Sequence, residues 1–93
     1  MLKTKNGTLR VYHIQNGNVA HQLEVETPMQ AIAHIELWAD EDLKNPNIEF
    51  NAFGLEVFNE EDLDNDNAGW SEWYNSDGED IAEIMDKIEE MLE

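Results

Sequence analysis

Charge is distributed very unevenly along this 93-residue chain. Residues 1–23 contain no acidic side chain, whereas residues 24–93 contain all 22 Asp and Glu residues and only two lysines, Lys44 and Lys87. Aromatic and aliphatic residues are interleaved with these acids throughout. An acidic segment with this much apolar content is typical of a folded domain with an acidic surface, not of a disordered tail. The sequence therefore predicts a compact unit that cannot neutralise its own carboxylates.

Size and residue usage limit the remaining classes of protein. A chain this short rarely contains two hydrophobic cores, so we expect residues 1–93 to form a single domain. There is no cysteine, which excludes disulfide scaffolds and thiolate zinc sites. No apolar run approaches the ~18 residues of a membrane span, and no secretion signal is recognisable at the N-terminus. We therefore expect a cytoplasmic protein that does not enter a membrane and, with five basic residues, does not bind nucleic acid directly.

The first 26 residues predict a β-hairpin. Asn16 and Gly17 supply the two positive-φ positions of a two-residue type I′ turn. Residues 8–15 and 18–26 are then its strands. Pairing across this turn places Ile14 beside Val19, Tyr12 beside His21 and Arg10 beside Leu23 on one face, with Leu9, Val11 and Gln22 on the other.

A helix is expected to follow the hairpin. Thr27 can act as the N-cap, Pro28 suits the first helical position, and Gln30 completes a capping box. Apolar side chains then recur at helical spacing and form one stripe. Its members are Ala31, Ile32, Ile35, Trp38 and Ala39. Asn45 and Pro46 end the segment.

The middle of the chain predicts further strands. Ile48, Phe50 and Ala52 alternate with polar residues, and so do Leu55 and Val57, but the two runs are out of phase. That slip indicates a bulge or a tight turn at residues 52–54, and so either one bent strand or a second hairpin. Residues 60–69 lack apolar periodicity and predict a loop, and residues 70–74 predict another strand.

The end of the chain predicts a second helix. Ser76 and Glu79 have the spacing of a capping box. A buried apolar stripe is expected to follow, made of Ile81, Ile84, Met85, Ile88, Met91 and Leu92. The predicted fold class is α+β: a small antiparallel sheet, made of the N-terminal hairpin plus two or three further strands, with one helix after the hairpin and an acidic amphipathic helix at the C-terminus.

Motifs for catalysis are missing from the sequence. Ser71 and Ser76 lack the strand–turn–helix context of a catalytic nucleophile. Ser76 is interpreted as the N-cap of a helix. His13, His21 and His34 show no metal-binding spacing, so each is interpreted as a hydrogen-bonded structural histidine. No phosphate-binding glycine motif is present. With 22 acids, close carboxylate pairs arise by chance and identify no acid–base site. We expect no catalytic residues, no cofactor and no metal.

Calcium binding is a weaker alternative. Residues 62–69 begin like an EF-hand loop, with oxygen-bearing side chains at alternating positions. Asn67 then occupies the sixth position, where glycine is required, and Trp73 occupies the twelfth, where a bidentate glutamate is required. The match fails, which leaves only an irregular, weak calcium site as an alternative.

The aromatic residues of the same region allow two interpretations. Trp70, Trp73 and Tyr74 could stack on a sugar or a base, or contribute to the core. Three strands and two helices need apolar cover, so we favour the core, with one tryptophan partly exposed at an interface.

The excess negative charge is the main functional signal. A net charge with a magnitude of about 2–8 is enough to keep a small domain soluble, whereas the net charge of this chain is −17. Glu83, Asp86, Glu90 and Glu93 share one face of the last helix, with a rise of ~4.5–6 Å between successive carboxylates. That spacing approaches the spacing of phosphates along a nucleic-acid strand, about 7 Å at most. The acids of residues 60–66 could form a second negative ridge.

This pattern predicts a non-enzymatic inhibitor that docks on the basic surface of a nucleic-acid-binding protein. A fixed array of carboxylates would meet the Arg and Lys side chains that normally contact phosphates. The candidate partner-binding residues are Glu60, Glu61, Asp62, Asp64, Asp66, Glu72, Asp77, Glu79, Glu83, Asp86 and Glu90.

The chain also resembles a class of known proteins. Its size, its acidity, its lack of cysteine and the tract Gly69–Tyr74, followed by the acids of residues 77–80, are similar to small anti-defence proteins of phages and mobile elements. DNA-mimicking anti-restriction and anti-CRISPR proteins belong to this class. The resemblance is compositional, covers roughly residues 40–93 and assigns no individual residue. It implies an inhibitor of a bacterial nuclease, such as a restriction or CRISPR effector, in the host cytoplasm.

A structural role is the competing interpretation. The acids would then form only a solvated surface. The chain would associate with another copy through the hairpin edge or through the apolar face of Leu9 and Val11. Both a monomer and a homodimer are compatible with the sequence.

Overall fold

Two helices pack on one face of a four-stranded antiparallel sheet in the computed structural model, which describes residues 4–92. The sheet order is β2-β1-β3-β4. The elements are β1 (Leu9–Gln15), β2 (Asn18–Val25), α1 (Pro28–Leu43), β3 (Asn51–Phe58), a 3₁₀ turn (Glu60–Asp62), β4 (Trp70–Glu72) and α2 (Ile81–Leu92). This arrangement confirms the predicted α+β class, with two strands added to the hairpin.

The hairpin turn forms as predicted, but the strand register differs. Asn16 and Gly17 have φ values of 49° and 86°, and Ile14 pairs with Val19. Ala20 is then left without a partner, so that His13 pairs with His21. This bulge shifts every later pair by one residue: Tyr12 lies opposite Gln22, Val11 opposite Leu23 and Arg10 opposite Glu24. The predicted neighbours Tyr12–His21 and Arg10–Leu23 are wrong because one extra residue reverses which face each β2 side chain occupies.

The start of α1 follows from its sequence. The Gln30 amide donates a 3.2 Å hydrogen bond to the Thr27 hydroxyl, and the Gln30 side chain accepts a 2.7 Å bond from the Glu26 amide. The predicted stripe faces the sheet, with Ala39 half-buried and the other four members buried. Asp42 is also buried on this face, which the apolar pattern did not indicate.

The predicted bend in the middle of the chain is wrong. β3 is one uninterrupted strand that pairs with β1 in continuous register, from Leu9–Val57 to Gln15–Asn51, without a bulge or a turn at residues 52–54. Phe53, Leu55 and Val57 all face the core. Phe50 lies before the strand and is exposed. Its apolar side chain therefore gives no information about which strand residues face the core. Ile48 also precedes β3, whereas Ala52 lies within β3, where strand alternation places it on the face opposite Leu55 and Val57.

The cap of α2 is Asp80, not Ser76. The Glu83 amide donates a 2.9 Å hydrogen bond to the Asp80 carboxylate. Asn75 instead closes a preceding turn, where its side-chain oxygen accepts from the amides of Asp77 and Glu79 at 2.9 Å. The sequence contains two consecutive capping patterns, at residues 76–79 and 80–83. The turn at Asn75 decides which of them starts the helix.

The core lies between the sheet and the helices. Its buried members are Leu9, Val11, Ala31, Ile32, Ile35, Trp38, Leu55 and Ile81. The face of Leu9 and Val11 is therefore occupied by this chain's own helices, and is not free to pair with another copy. The predicted stripe of α2 is only partly covered: Ile81 is buried, but Met91 and Leu92 are exposed. Those two residues lie beyond the part of α2 that contacts the core.

Candidate functional site

The acids of residues 60–66 lie on a loop that side-chain hydrogen bonds hold in place. The Asn59 side chain caps the 3₁₀ turn by accepting from the Glu61 amide at 3.0 Å. The Asn65 side chain accepts from the amides of Asn67 and Gly69 and donates to the Trp70 carbonyl. Glu60, Glu61, Asp62, Asp64 and Asp66 are all exposed. The loop therefore presents five carboxylates to solvent on an ordered backbone.

The acids of α2 divide into free and paired groups. Glu83, Asp86 and Glu90 are exposed, as the predicted column requires, while Glu93 lies outside the described residues. Glu79, just before the helix, forms an ion pair with Lys87. The hydrogen bond from Lys87, with a second one from Asn75, holds the pKa of Glu79 below its usual range. Glu79 is thus neutralised within the chain, and Asp77 and Glu83 also lie in the field of Lys87.

The face of the sheet opposite the helices contains a polar groove. Arg10 donates hydrogen bonds of 3.0 and 3.3 Å to Glu56, and its guanidinium lies 4.0 Å from the centre of the Trp70 ring. Tyr12 donates a 3.2 Å hydrogen bond to Glu72. Arg10, Tyr12, Glu56 and Glu72 line a cavity of about 280 Å³ together with Asn67 from the acidic loop. The groove joins the loop to the centre of the sheet.

Negative charge is in excess in this groove. Burial, followed by the charges of Glu72, Glu56 and Asp80, raises the pKa of Tyr12 to about 12. Burial also raises the pKa of Glu72, and Asp80 and Glu56 raise it further against the opposing hydrogen bond from Tyr12. The fold therefore brings Glu72, from the predicted set, next to two acids that the sequence did not single out.

Replacing Glu72 with glutamine is expected to stabilise the fold slightly at neutral pH. The amide oxygen can still accept from Tyr12, while the repulsion from Glu56 and Asp80 is lost. Because the pKa of Glu72 is raised in the folded protein, its ionisation opposes folding above that pKa, and the penalty disappears as pH falls through it. The side chain is half-exposed, so we expect less than about 1 kcal/mol. Thermal melts at pH 7 and pH 4 test this, and a gain that is equal at both pH values would contradict it.

A polar cluster lies on the helix-facing side of the sheet, with His13 and Asp42 buried at its centre. His13 Nε2 lies 2.7 Å from Asp42 Oδ2, and His13 Nδ1 lies 2.9 Å from His21 Nδ1. A carboxylate can only accept, so His13 donates to Asp42, and one proton is shared between the two Nδ1 atoms. Gln15 and Asn51 also donate to Asp42, at 2.7 and 2.8 Å. Asp42 therefore accepts from three side chains.

Aromatic rings enclose this cluster. The Trp38 ring stacks on both imidazoles, with centroid distances of 5.4 Å to His13 and 4.9 Å to His21. Phe53 stacks on His13 at 4.8 Å. His13 and His21 are both hydrogen-bonded, as expected. The sequence did not reveal their contact, because only the bulge at Ala20 brings them together.

Asp42 is ionised in this setting. Burial acts to raise its pKa, but the hydrogen bonds from Asn51, His13 and Gln15 together outweigh that effect. The pKa of Asp42 therefore lies below its ordinary value of 3.8. The hydrogen bonds of the cluster join side chains from β1, β2, β3 and α1.

The described part of the chain offers neither a metal site nor a membrane-spanning helix. No group of three or more His, Asp or Glu side chains there has an arrangement that could hold a metal ion. The calcium alternative thus receives no geometric support from residues 4–92. None of the helices in this range has the length and apolarity needed to cross a membrane.

The aromatic tract Gly69–Tyr74 serves mainly packing. Trp70 is buried and contacts Phe58 edge-on, at a centroid distance of 5.4 Å. Trp73 packs against the core from a half-buried position, while Tyr74 is exposed.

Comparison of the chain with family models, with curated proteins and with solved structures found no match in any of the three.

Proposed function

We propose that this protein is an acidic, non-enzymatic inhibitor that occupies the basic nucleic-acid-binding surface of another protein. One observation supports the proposal above all: an ordered loop exposes five carboxylates, and none of them forms an ion pair within residues 4–92. Two like charges ~10 Å apart in water repel by about 0.4 kcal/mol. Concentrating five of them on one loop therefore has an energetic cost that a cationic partner would relieve.

The electrostatics favour fast and salt-sensitive docking. Exposed carboxylates on a rigid scaffold steer a basic surface and lose little conformational entropy on binding. The exposed face of α2 adds Glu83, Asp86 and Glu90. Occupying the partner's Arg and Lys side chains excludes nucleic acid from them without any chemical step.

A bacterial defence nuclease is the partner that we propose. This part of the proposal rests on the resemblance to anti-restriction and anti-CRISPR proteins in size, acidity and lack of cysteine. Such effectors bind nucleic acid through large basic channels, and base pairing or phosphate contacts dominate their binding energy. An acidic domain of this size could fill part of such a channel.

Charge reversal is expected to abolish inhibition. The variant combines Asp64→Lys, Asp66→Lys, Glu83→Lys and Glu90→Lys. Displacement of a labelled duplex from a panel of restriction and CRISPR effectors gives the readout. We expect the wild-type chain to displace the duplex from at least one effector, with an affinity that falls steeply as salt rises. The variant should be at least about 100-fold weaker, because four attractive contacts become repulsive.

A matched variant separates a specific surface from total charge. Glu24→Lys, Glu26→Lys, Glu41→Lys and Glu49→Lys change the net charge by the same amount at exposed positions outside the proposed surface. We expect less than about a 10-fold loss from this control. Equal losses in the two variants, or displacement that is insensitive to salt, would contradict the proposal.

Self-association through the sheet edge is the second candidate function. β2 is an edge strand in the sheet order, and its Val19 and Leu23 side chains are exposed. Exposed edges with apolar residues can pair with another copy. Light scattering at several salt concentrations distinguishes the candidates: a stable dimer with no affinity for basic proteins would favour this one.

A further inference from the structure

A groove separates α1 from α2 and reaches the start of β3. Two adjoining cavities, of about 310 and 400 Å³, share Ala39, Met85 and Glu89 as lining residues. The floor is mostly apolar, and Ile88 extends it along α2. On α1 the lining runs from Ile35 to Leu43, which is ~12 Å of helix, or about two turns. The groove is therefore long enough to accept about two turns of another helix.

The uncovered end of the groove exposes large apolar side chains. Leu43 is 87% exposed and Leu92 is 81% exposed, and both line the same cavity. These are among the most exposed large apolar residues in the described range. Two exposed leucines that line one open cavity from different helices form a small apolar patch whose burial would be favourable.

The walls of the groove are acidic. Glu36 and Asp40 line it from α1, and Asp86 and Glu89 line it from α2. Among residues 4–92, no basic side chain lines either cavity. Lys44 lies nearby, but its ammonium is 3.1 Å from the Asp40 carboxylate on the surface. An occupant with an apolar stripe and flanking cations would thus match both the floor and the two walls.

We propose that this groove binds a cationic amphipathic helix of the partner protein. Leucine-type anchors at i, i+3 and i+4 would cover the floor, and Lys or Arg on either side of them would pair with the acids of α1 and α2. A second copy of this chain is a poor occupant, because each copy has a net charge of −17 and the same acidic walls would face each other. The inference rests on the proposed function for its cationic partner, and it names the element that docks.

A designed peptide tests the proposal directly. The probe is a 14-residue Leu/Lys peptide with leucines at helical spacing, and the control peptide has the same composition in an order without an apolar stripe. Methyl NMR of the methionines gives the readout, because Met85 lines the groove while Met29 lies at the opposite end of α1. We expect the amphipathic peptide to shift the Met85 signal and not that of Met29. The scrambled peptide should bind at least 10-fold more weakly.

Matched variants locate the binding surface. Leu43→Asn combined with Leu92→Asn should weaken the peptide at least 10-fold, while Leu37→Asn, an exposed leucine of α1 outside the groove, should change binding less than 2-fold. Glu89→Gln should weaken binding more than Glu41→Gln, an exposed acid of α1 that lines neither cavity. All five positions are exposed, so the variants should remain folded.

Several results would overturn the inference. Equal binding of the two peptides, equal effects of the groove and control variants, or a Met85 shift that appears with protein concentration alone would each do so. The two proposals fail separately. If the amphipathic peptide does not bind but the protein still displaces nucleic acid from an effector, only the groove proposal is contradicted. If the peptide binds in the groove but the protein displaces nucleic acid from none of the effectors, only the proposed inhibitory function is contradicted.

Discussion

Replacing Asp42 with alanine is expected to destabilise the protein by about 3–5 kcal/mol at neutral pH. The substitution removes a buried carboxylate that accepts hydrogen bonds from His13, Gln15 and Asn51. His13 would lose its partner in a site that is nearly closed to water, and an unsatisfied buried donor costs roughly 1–3 kcal/mol. Gln15 is half-buried and Asn51 is exposed, so these two donors can bond to water instead. Urea denaturation followed by tryptophan fluorescence measures the loss, and Trp38 stacks directly on His13.

The pH dependence of this loss identifies its cause. The pKa of Asp42 is lower in the folded protein than its ordinary value of 3.8. Its stabilising contribution is therefore fully present above pH 3.8 and is lost as pH falls through the folded-state pKa. The difference in the free energy of unfolding between wild type and Asp42→Ala should therefore become smaller in that pH range. Asp42→Asn, which keeps an acceptor of similar shape, should lose less than the alanine variant. A loss below 1 kcal/mol, or one that stays constant down to pH 2, would contradict this account.

Replacing Ile81 with alanine is expected to release α2 from the sheet. Ile81 is the one fully buried residue of this helix, at 1% exposure, among the residues that the structure describes. Ile84, Met85 and Ile88 contact the core only from half-buried positions. The substitution removes a large buried side chain at the first turn of α2, which costs about 2–5 kcal/mol. An isolated helix of 12 residues is marginal in water, so loss of this anchor should melt it.

Hydrogen exchange separates this local release from global unfolding. In Ile81→Ala, the amides of α2 should exchange faster than those of β1 and β3, whereas in wild type the difference should be smaller. Ile88→Ala is the matched control: it truncates the same residue type in the same helix at a half-buried position, and we expect about half the loss of stability. If both variants lose the same stability and α2 stays protected, Ile81 is not the anchor.

Local signals in the sequence predicted much of this fold. The Asn16–Gly17 turn, the Thr27 cap with Gln30 and the apolar stripe of α1 all form as expected. Each depends on residues within a few positions of one another, so their geometry is set by local backbone and hydrogen-bond preferences. The exposure of the loop acids was likewise predictable, since unpaired carboxylates remain in water.

Contacts between distant residues were not predictable in the same way. The bulge at Ala20 puts His21 beside His13, and Asp42 reaches them from a helix 29 residues away from His13 in the sequence. The open end of the α1–α2 groove depends on the distance between the two packed helices. That distance cannot be predicted from the pattern of residues in either helix. The buried polar network and the groove were therefore both missed.

From its amino acids alone, the chain determined its secondary-structure types, its α+β class and an acidic surface, because turns, caps and hydrophobic periodicity act over short distances. Tertiary structure alone decided the register of the hairpin, the choice of Asp80 over Ser76 as the cap of α2, the burial of Asp42 and the acidic walls around an apolar groove. These features follow from packing between segments far apart in the chain, where a one-residue shift changes which side chains meet.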